Sequence, residues 1–385
     1  MRALVTGGAG FIGSHIADRL LSMGYVVRIL DNLEPRVHPK GKPSWIPKDA
    51  EFMMGDVCDK GTLSKALEGV QVVFHEAAYQ DYMPDFSKFF HTNTVGTSLV
   101  YEVIVEKKLD IKKIVVASSQ AVYGEGQYKC KNVECACLPD RQGLRNAEPI
   151  QPQSRSREQL ERGEWELKCP DCGAEIENLM LSEEYANPYN QYALSKYAQE
   201  LTAIRLGKLH GIPTTALRYS ITQGPRQSLY NQYSGICRIF TLRLLNNHPP
   251  IIYEDGHQRR DYIHIKDVVD ANMLVLEKEE SNYEVYNVGS GKATTVLDYA
   301  KKLTKKLDKE IKPFVRGEFR LGDNRHSISS IEKLKKLGWT PKKSLDDIFD
   351  DYIHWLQSMG DLSDYFSEAE KAMRSSGVVL PILKR

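Results

Sequence analysis

The chain has 385 residues, enough for one large domain or for two ordinary domains that each bury a core. Its 52 basic and 51 acidic side chains nearly cancel, and this balance does not favour binding to nucleic acid or to a membrane surface. The mean hydropathy of −0.43 is typical of a soluble globular protein, and no apolar run reaches the roughly 18 residues of a membrane span. Because the sequence opens on a strand pattern without a cleavable leader, we expect a cytoplasmic protein.

The first segment carries a strand, a glycine-rich turn and a helix in that order. The apolar run Arg2–Thr6 predicts a buried strand, and apolar residues recur at helical spacing over Phe11–Leu21. Gly7, Gly10 and Gly13 follow the strand at intervals of three residues. Such glycines permit a tight turn, close approach of the backbone to a pyrophosphate, and close packing of helix on strand. The segment therefore predicts a dinucleotide site at a helix N-terminus.

An acidic residue supports this interpretation at the end of the second predicted strand. Asp31 lies 24 positions after Gly7, where a carboxylate can accept hydrogen bonds from the adenosine ribose hydroxyls. A carboxylate at this place repels the additional phosphate of NADP. Arg36, Lys40 and Lys42 could attract that phosphate, but the carboxylate favours NAD.

Two later segments extend the predicted cofactor site. Asp56 and Val57, in "GDVCD", are candidates for the adenine edge. Ala77 and Ala78 follow a further buried strand, and their small side chains would let a cofactor pass closely. The His-Glu pair directly before these alanines is interpreted as structural rather than catalytic.

A tyrosine and a lysine share one face of a long helix predicted after Pro188. Tyr192 and Lys196 are four positions apart, so their side chains are neighbours on the helix surface. An ammonium group beside a phenol favours the phenolate, which can remove a proton from a sugar hydroxyl. By itself this pair is a weak signal, since such spacing is common by chance.

The order in which these segments occur along the chain makes the pattern more specific. The stretches "TGGAGFIG", "SSQAVYG" and "YALSK", with Asp31 between the first two, occur in the order found in extended short-chain dehydrogenases/reductases. From end to end, the chain resembles the nucleotide-sugar epimerase and dehydratase branch of that family. The resemblance implies an α/β fold with a Rossmann-type doubly wound parallel sheet and a smaller C-terminal substrate domain.

The resemblance also implies roles for individual residues. Tyr192 would be the base, Lys196 would tune it and bind the nicotinamide ribose, and Ser119 would be the hydroxyl partner. Ser119 is preferred over Ser118 because it lies four positions before a tyrosine, as the family's serine does. Asn93 matches a structural or relay asparagine. The predicted cofactor contacts are Gly7, Gly10, Phe11, Ile12, Gly13, Asp31, Asn32, Asp56, Val57, Ala77, Ala78, Asn93 and Lys196.

The second half of the chain resembles the family's substrate-binding motifs. In "QRRDYIHIKDVVDA", Arg260 would hold the diphosphate of a sugar nucleotide and Asp261 would brace the strand. In "FRLGDNRHS", Arg320 would be a second phosphate clamp, and guanidinium groups suit phosphate oxygens geometrically. The predicted substrate contacts are Ser119, Gln120, Tyr192, Arg260 and Arg320.

The residues after Ser119 bear on the reaction. Related dehydratases have an acidic pair there, whereas this chain has Gln120 and Ala121, which cannot transfer protons. We therefore expect a 4-epimerase with tightly bound NAD, in which carbon 4 is oxidised, the keto sugar rotates and carbon 4 is reduced again. The family's "RYFN" appears as "RYSI" from Arg218, so some substrate contacts differ.

Several specificities and functions remain open at this point. The substrate loop and a cysteine-rich insert resemble the dTDP-L-rhamnose 4-epimerase-like subgroup, which implies a dTDP-6-deoxyhexose substrate. The alternatives are a UDP-hexose or UDP-uronate 4-epimerase, a one-way NAD(P)-dependent ketoreductase, and a non-catalytic NAD-binding protein with a zinc interaction module.

The insert separates Ser119 from Tyr192 by 73 positions, too many for an unstructured loop in a compact domain. Five of the seven cysteines lie there, and thiolate ligands of a zinc-ribbon-like unit would order so small a module. The second half of the insert contains the C-x-x-C pair, Cys169 and Cys172, and the fourth ligand is either Cys135 or Cys137 in the first half of the insert. The candidate ligands are Cys130, Cys135 or Cys137, Cys169 and Cys172. Free cysteines and a redox pair are the alternatives.

These elements define three predicted units. A NAD-binding Rossmann domain spans 1–218, the cysteine-rich module 126–182 lies inside it, and 219–385 forms a substrate domain with some elements returning to the first. The resemblance implies a homodimer formed through the helices that contain Asn93–Lys107 and Tyr192–Leu209. We expect a nucleotide-sugar substrate and neither nucleic acid nor membrane as partner.

Overall fold

A computed structural model describes residues 1–81, 84–135, 149–230, 235–360 and 366–383. In chain order the strands are β1 (Arg2–Thr6), β2 (Val26–Asp31), β3 (Glu51–Met54), β4 (Val72–His75), β5 (Lys113–Ser119), β6 (Tyr128–Cys130), β7 (Ile176–Asn178), β8 (Thr214–Tyr219), β9 (Ile221–Gln223), β10 (Ile251–Ile252), β11 (Arg259–Arg260), β12 (Tyr262–His264), β13 (Glu284–Val288), β14 (Thr294–Thr295), β15 (Phe314–Val315), β16 (Glu318–Arg320), β17 (His326–Ser327) and β18 (Val379–Pro381).

The helices lie mostly between these strands. They are α1 (Phe11–Ser22), α2 (Lys60–Ala66), α3 (Phe86–Phe90), α4 (Gly96–Glu106), α5 (Arg157–Glu161), α6 (Gln191–His210), α7 (Ile236–Leu245), α8 (Ile265–Glu277), α9 (Val296–Lys306), α10 (Glu332–Lys336), α11 (Leu345–Met359) and α12 (Phe366–Ser375). None of the helices in the described ranges is long and apolar enough to cross a membrane.

A seven-stranded parallel sheet forms the centre of the molecule, with strand order β13-β8-β5-β4-β1-β2-β3. The order reverses between β1 and β4, which makes this the topological switch point where dinucleotides bind in such sheets. Because the strands are parallel, the ends of β1, β2, β4, β5 and β8 lie along one edge of the sheet. The predicted doubly wound sheet is confirmed.

The apolar strands are explained by burial on both faces of the sheet. In β1, Ala3 and Val5 belong to the core on one face, together with residues of α1 and α8. Leu4, between them, belongs to the core on the opposite face, together with residues of α2 and α4. A strand covered on both sides has no solvent face, so its sequence is continuously apolar rather than alternating.

A separate core lies among α7, α9 and α11 in the second half of the chain. From this half, β13 returns to the central sheet and pairs with β8. The predicted insert contains the antiparallel pair β6–β7, and the described tail ends in β18, which pairs with β16. The limits proposed for the three units stay predictions.

Candidate active site

The glycine turn after β1 lies at the switch point of the sheet and has no room for side chains. Gly7 has a φ of +67°, and a β-carbon added to it would lie 2.7 Å from the amide nitrogen of Ala77. A β-carbon on Gly13 would lie 2.4 Å from the carbonyl oxygen of Gly7. Gly10 caps the N-terminus of α1, where Phe11 is the first residue. This backbone conformation, with space left open at the helix N-terminus, is what a dinucleotide site needs.

Asp31 is buried at the end of β2, where it fixes the glycine turn. One carboxylate oxygen accepts a hydrogen bond from the backbone nitrogen of Ala9 at 3.0 Å, and the other accepts from Leu33 at 2.8 Å. The Trp45 indole in turn donates to the carbonyl oxygen of Ala9 at 3.1 Å. The predicted ribose contact is therefore adjacent to the predicted pyrophosphate turn.

The remaining predicted adenine contacts lie around the same edge. Asn32 donates to the Asp56 carboxylate at 2.9 Å, and Val57 is buried next to it. The backbone nitrogen of Ala77 donates to the Thr6 hydroxyl at 3.2 Å, whereas the following alanine is exposed. The predicted residues thus converge on one edge, and their contacts with a cofactor stay predictions.

Two neighbouring serines at the end of β5 have different partners. The Ser118 hydroxyl is buried and donates to the Glu200 carboxylate at 2.7 Å. The half-buried Ser119 hydroxyl accepts from the backbone nitrogen of Ala121 at 3.1 Å, which leaves its own proton available. Of the two, Ser119 is the serine with an accessible donor, and its catalytic role stays a prediction.

The helix α6 carries Tyr192 and Lys196 on one face. It begins where the Asn190 side chain accepts from the backbone nitrogen of Ala193, and it ends at Gly211 with a φ of +66°. Tyr192 is half-buried, whereas Lys196 is fully buried and its ammonium donates to a carbonyl oxygen at the end of β5. The helix is thereby held against the strand that carries Ser119.

The electrostatics around Lys196 depend on burial. Burial lowers the pKa of the Lys196 ammonium to about 8, although the carboxylates of Glu76 and Glu200 oppose this shift. Burial likewise raises the pKa of Glu76 to about 7, against the hydrogen bond from Tyr219 and the charge of Lys196. The two groups therefore titrate close to neutral pH.

The residue before Glu76 has a structural position. His75 is buried and bonds through its two ring nitrogens to the hydroxyls of Thr6 and Thr97, at 2.8 and 2.9 Å. Burial, together with the positive charge of Lys196, lowers the pKa of His75 to about 3. A neutral imidazole with both nitrogens engaged fits the structural interpretation made from the sequence.

A buried ion pair supports the site and was not predicted. Glu200 and Arg218 form two hydrogen bonds at 2.7 and 2.9 Å, and both side chains are buried. Glu200 lies one helical turn after Lys196 and also accepts from Ser118. A helical spacing of four from Lys196 is the only signal in the sequence, and it does not identify the partner on β8.

Asn93 is completely buried, and its side chain is bonded within the protein. Its carbonyl oxygen accepts from the backbone nitrogen of Tyr79 at 2.7 Å. Its amide nitrogen donates to the carbonyl oxygen of Tyr79 at 3.1 Å and to the Ser195 hydroxyl at 2.9 Å. These bonds support the structural role that the resemblance allows, while a contact with the cofactor stays a prediction.

The predicted substrate residues approach the site from the second half of the chain. Arg260 pairs with Ser327 in the β11–β17 ladder, and the Ser327 hydroxyl donates to the Gln120 side chain at 3.0 Å. This bond places β11 beside the residue that follows Ser119. Arg320 lies on β16 and bonds to the Asp323 carboxylate at 2.8 Å.

Asp261 has the bracing position expected for it. Its carboxylate is fully buried and accepts from the backbone and hydroxyl of Ser290, at 2.7 and 2.6 Å. It also accepts from the backbone nitrogens of Gly291 and Ser329, both at 3.2 Å. These four bonds fix the strand segment that carries Arg260.

Four cysteines of the insert form a cluster. The Sγ atoms of Cys130, Cys135, Cys169 and Cys172 all lie within 4.8 Å of one another. Two of the Sγ pairs are 3.6 Å apart, close to the roughly 3.8 Å that tetrahedral Zn–S bonds impose. The donor set therefore fits a structural zinc ion. Cys135 is the described candidate for the position that the sequence left open, and Cys137 lies outside the described residues.

The sequence of the chain matches a known protein family over most of its length. Residues 3–141 and 170–289 match the NAD dependent epimerase/dehydratase family. The chain belongs to this family. The break in the match covers residues 142–169, so the sequence of this family member departs from the common pattern inside the predicted insert.

Curated relatives cover almost the whole of this family member. A dTDP-L-rhamnose 4-epimerase from Burkholderia thailandensis is 32% identical, and the match covers 92% of this chain and 94% of the relative. A putative UDP-glucose 4-epimerase from Methanocaldococcus jannaschii is 33% identical, and the match covers 92% of this chain and 98% of the relative.

Solved structures of nucleotide-sugar 4-epimerases also match almost the whole chain. A UDP-glucose 4-epimerase from Thermotoga maritima with UDP-glucose has a TM-score of 0.73 and 29% identity, and the match covers 94% of this chain and 100% of that one. A UDP-glucose 4-epimerase from Thermus thermophilus in complex with NAD has a TM-score of 0.70 and 27% identity, with 93% and 99% covered. The predicted family, its enzymatic character and its Rossmann-type α/β fold are confirmed.

Proposed function

We propose that the protein is a nucleotide-sugar 4-epimerase that uses tightly bound NAD and acts on a dTDP-6-deoxyhexose such as dTDP-L-rhamnose. One observation carries the proposal. Ser119, Tyr192 and the buried Lys196 lie at the sheet edge that also holds the glycine turn and Asp31. Reversible oxidation of a sugar hydroxyl requires a base, an ammonium group beside it and a dinucleotide-binding turn.

The residues of the chain supply orientation and proton transfer. NAD, when bound, supplies the acceptor and donor of a hydride. The ammonium of Lys196 stabilises the phenolate of Tyr192, which removes the proton from the hydroxyl on carbon 4. The Ser119 hydroxyl donates a hydrogen bond to the same oxygen. The rotated keto sugar then receives the proton back from Tyr192, so protons balance over one turnover.

The position after Ser119 supports epimerisation over elimination of water. The Gln120 side chain accepts from Ser327, and the Ser119 hydroxyl accepts from the backbone nitrogen of Ala121, whose side chain is a methyl group. Neither side chain can act as an acid or base at neutral pH. The residues that would protonate a leaving hydroxyl are therefore missing from the place where the family's dehydratases carry them.

The choice of sugar rests on the relatives. The dTDP-L-rhamnose 4-epimerase supports a dTDP-6-deoxyhexose, whereas the putative UDP-glucose 4-epimerase, with similar identity, supports the UDP-hexose alternative. Purified enzyme incubated with dTDP- and UDP-sugars, without added cofactor, should invert carbon 4 of one of them, as followed by NMR. Tyr192→Phe should lower turnover by about 10²-fold or more while the NAD content stays the same.

Failure of this experiment has two distinct forms. Turnover that depends on added NAD(P)H, with no return reaction, would assign a one-way ketoreductase instead. Absence of turnover with every sugar, in a protein that retains NAD, would favour the non-catalytic alternative.

We further propose a structural zinc ion on Cys130, Cys135, Cys169 and Cys172, and a homodimer. The zinc proposal is supported by a thiolate set that leaves no open ligand position. A cytoplasmic location is proposed as well, since a reducing compartment keeps cysteine thiols available as metal ligands. The dimer proposal is supported by exposed apolar side chains around α4 and α6, at Val95, Val105, Leu194, Leu201 and Leu209.

A further inference from the structure

One short segment contacts both arginines to which the family resemblance assigns the diphosphate of the substrate. The guanidinium of Arg260 donates to the carbonyl oxygens of Asn324 and of the next residue, at 2.8 and 2.9 Å. The guanidinium of Arg320 donates to the Asp323 carboxylate at 2.8 Å. The positions of both cations therefore follow the position of residues 322–325, which we name the cradle segment.

The cradle segment is itself held by a residue of the insert. Arg155 is buried, and its guanidinium donates to the carbonyl oxygen of Asp323 at 2.7 Å. The same guanidinium forms two hydrogen bonds to the Glu254 carboxylate, at 2.9 and 3.0 Å, and one to Glu125 at 3.3 Å. One side chain thus joins the insert, the loop after β5 and the second half of the chain.

A second buried arginine completes the connection. The Arg325 side chain is fully buried and bonds to Glu166 of the insert at 2.6 and 3.0 Å. It also bonds to Glu254 at 2.9 Å and to Asp255 at 2.8 Å, while its backbone nitrogen donates to Glu125 at 2.7 Å. Removal of one partner from the buried pairs between Glu254 and the two arginines would leave an uncompensated charge, so the network opposes displacement of either arginine.

We propose that Arg155 is a positioning residue for substrate, through which the insert sets the diphosphate-binding geometry of the cradle segment. The inference rests on the proposed function, in which the substrate is a nucleotide sugar and, as the resemblance implies, Arg260 and Arg320 bind its diphosphate. Loss of Arg155 frees the carbonyl of Asp323 and lets the cradle segment shift. Substrate binding then weakens, whereas the reacting groups on β5 and α6 stay in place.

The test measures binding of dTDP and UDP to the NAD-loaded protein by calorimetry. Arg155→Met should weaken binding of the recognised diphosphate by about tenfold or more, the effect of losing one charge-assisted hydrogen bond. Arg157→Met is the matched control, because the side chain of this arginine is exposed on α5 and pairs with Glu161 on the same helix. In turnover, Arg155→Met should raise KM at nearly unchanged kcat.

Unchanged diphosphate affinity in Arg155→Met would overturn the inference. If that variant does not fold, Glu166→Gln decides, since this glutamate is partly exposed and bonds to Arg325 from the insert. Weakened diphosphate binding in Glu166→Gln supports the inference, and unchanged binding overturns it. Arg260→Met separates the two proposals. If this change left the diphosphate affinity unaffected, the assignment of Arg260 to the diphosphate would be wrong. Weakened binding in Arg155→Met without turnover of any sugar would leave the inference standing while the epimerase proposal falls.

Discussion

Lys196 is a lysine whose ammonium is buried beside two carboxylates. Burial lowers its pKa to about 8, although Glu76 and Glu200 raise it in opposition. A lysine is charged below its pKa, so the ammonium that the proposed chemistry needs is present at neutral pH and is lost as the pH rises. The margin is about one pH unit, much narrower than for an exposed lysine.

A pH profile follows from this margin. We expect kcat/KM to fall as the pH rises through about 8, because neutral Lys196 no longer stabilises the Tyr192 phenolate. Glu76→Gln removes a carboxylate that raises the pKa of Lys196, so the decline should move to lower pH. Glu68→Gln, at an exposed glutamate, should leave the profile unchanged. A profile that stays flat well above pH 8, or a Glu76→Gln profile identical to wild type, would contradict this assignment.

Sequence reasoning is most informative where a residue's position depends on its near neighbours. The turn around Gly7, the carboxylate of Asp31 and the helical pair of Tyr192 and Lys196 are all local patterns. Each is fixed by a strand end or by helical spacing, so each can be recognised without knowledge of distant contacts.

At the level of elements, the ion pair between Glu200 and Arg218 ties α6 to β8. Both side chains are buried, and the pair lies one turn beyond Lys196 on the helix. Because the two residues belong to different elements, helical or strand periodicity could not predict their contact. The pair fixes the rotation of the helix that carries Tyr192.

Removal of one partner should therefore be costly. Glu200→Gln leaves the buried Arg218 without its counter-charge and should destabilise the protein by about 3 kcal/mol or more. Glu102→Gln, which breaks an exposed pair between Lys60 and α4, should change stability by less than about 1 kcal/mol. Thermal unfolding at equal NAD load measures both. Equal midpoints for the two variants would show that the buried pair does not stabilise the helix.

The insert is the element whose ligands can be tested most directly. Cys169→Ser and Cys172→Ser should reduce bound zinc to well below one ion per chain and lower the unfolding midpoint. Cys58→Ser is the control, since this cysteine lies outside the cluster. NAD content and turnover at saturating substrate should persist. If loss of zinc abolished turnover in a folded, NAD-loaded protein, the metal would have to be assigned to catalysis.

For the molecule as a whole, the order of the central sheet was predictable, whereas the attachment of the insert was not. The sheet follows from alternating apolar strands and helices and from the family resemblance. The attachment depends on Glu254, which bonds to Arg155 and Arg325 at separations of 99 and 71 positions along the chain. Charged residues at such separations carry no local signal, so their pairing emerges only from the folded structure.

The exposed apolar side chains on α4 and α6 support the proposed homodimer. Leu201 is 41% exposed on α6, which packs beside α4. Leu201→Glu should convert the proposed dimer into a monomer, because a charge would replace apolar contact at the interface centre. Val133→Glu, at an exposed position in the insert, should leave the dimer intact. Light scattering after size exclusion distinguishes these states, and an unchanged mass for Leu201→Glu would place the interface elsewhere.

The position of the insert, between Ser119 and Tyr192, also affects how the chain reaches its final form. A connection of 72 residues between Ser119 and Tyr192 must close before β5 and α6 can meet, and loop closure costs more entropy as the loop lengthens. A metal ion bound by both Cys130 and Cys172 would close most of this connection into a separate loop. Only the two shorter segments on either side of that loop would then remain to be ordered. The supply of metal during synthesis would then govern how quickly the newly made chain becomes competent.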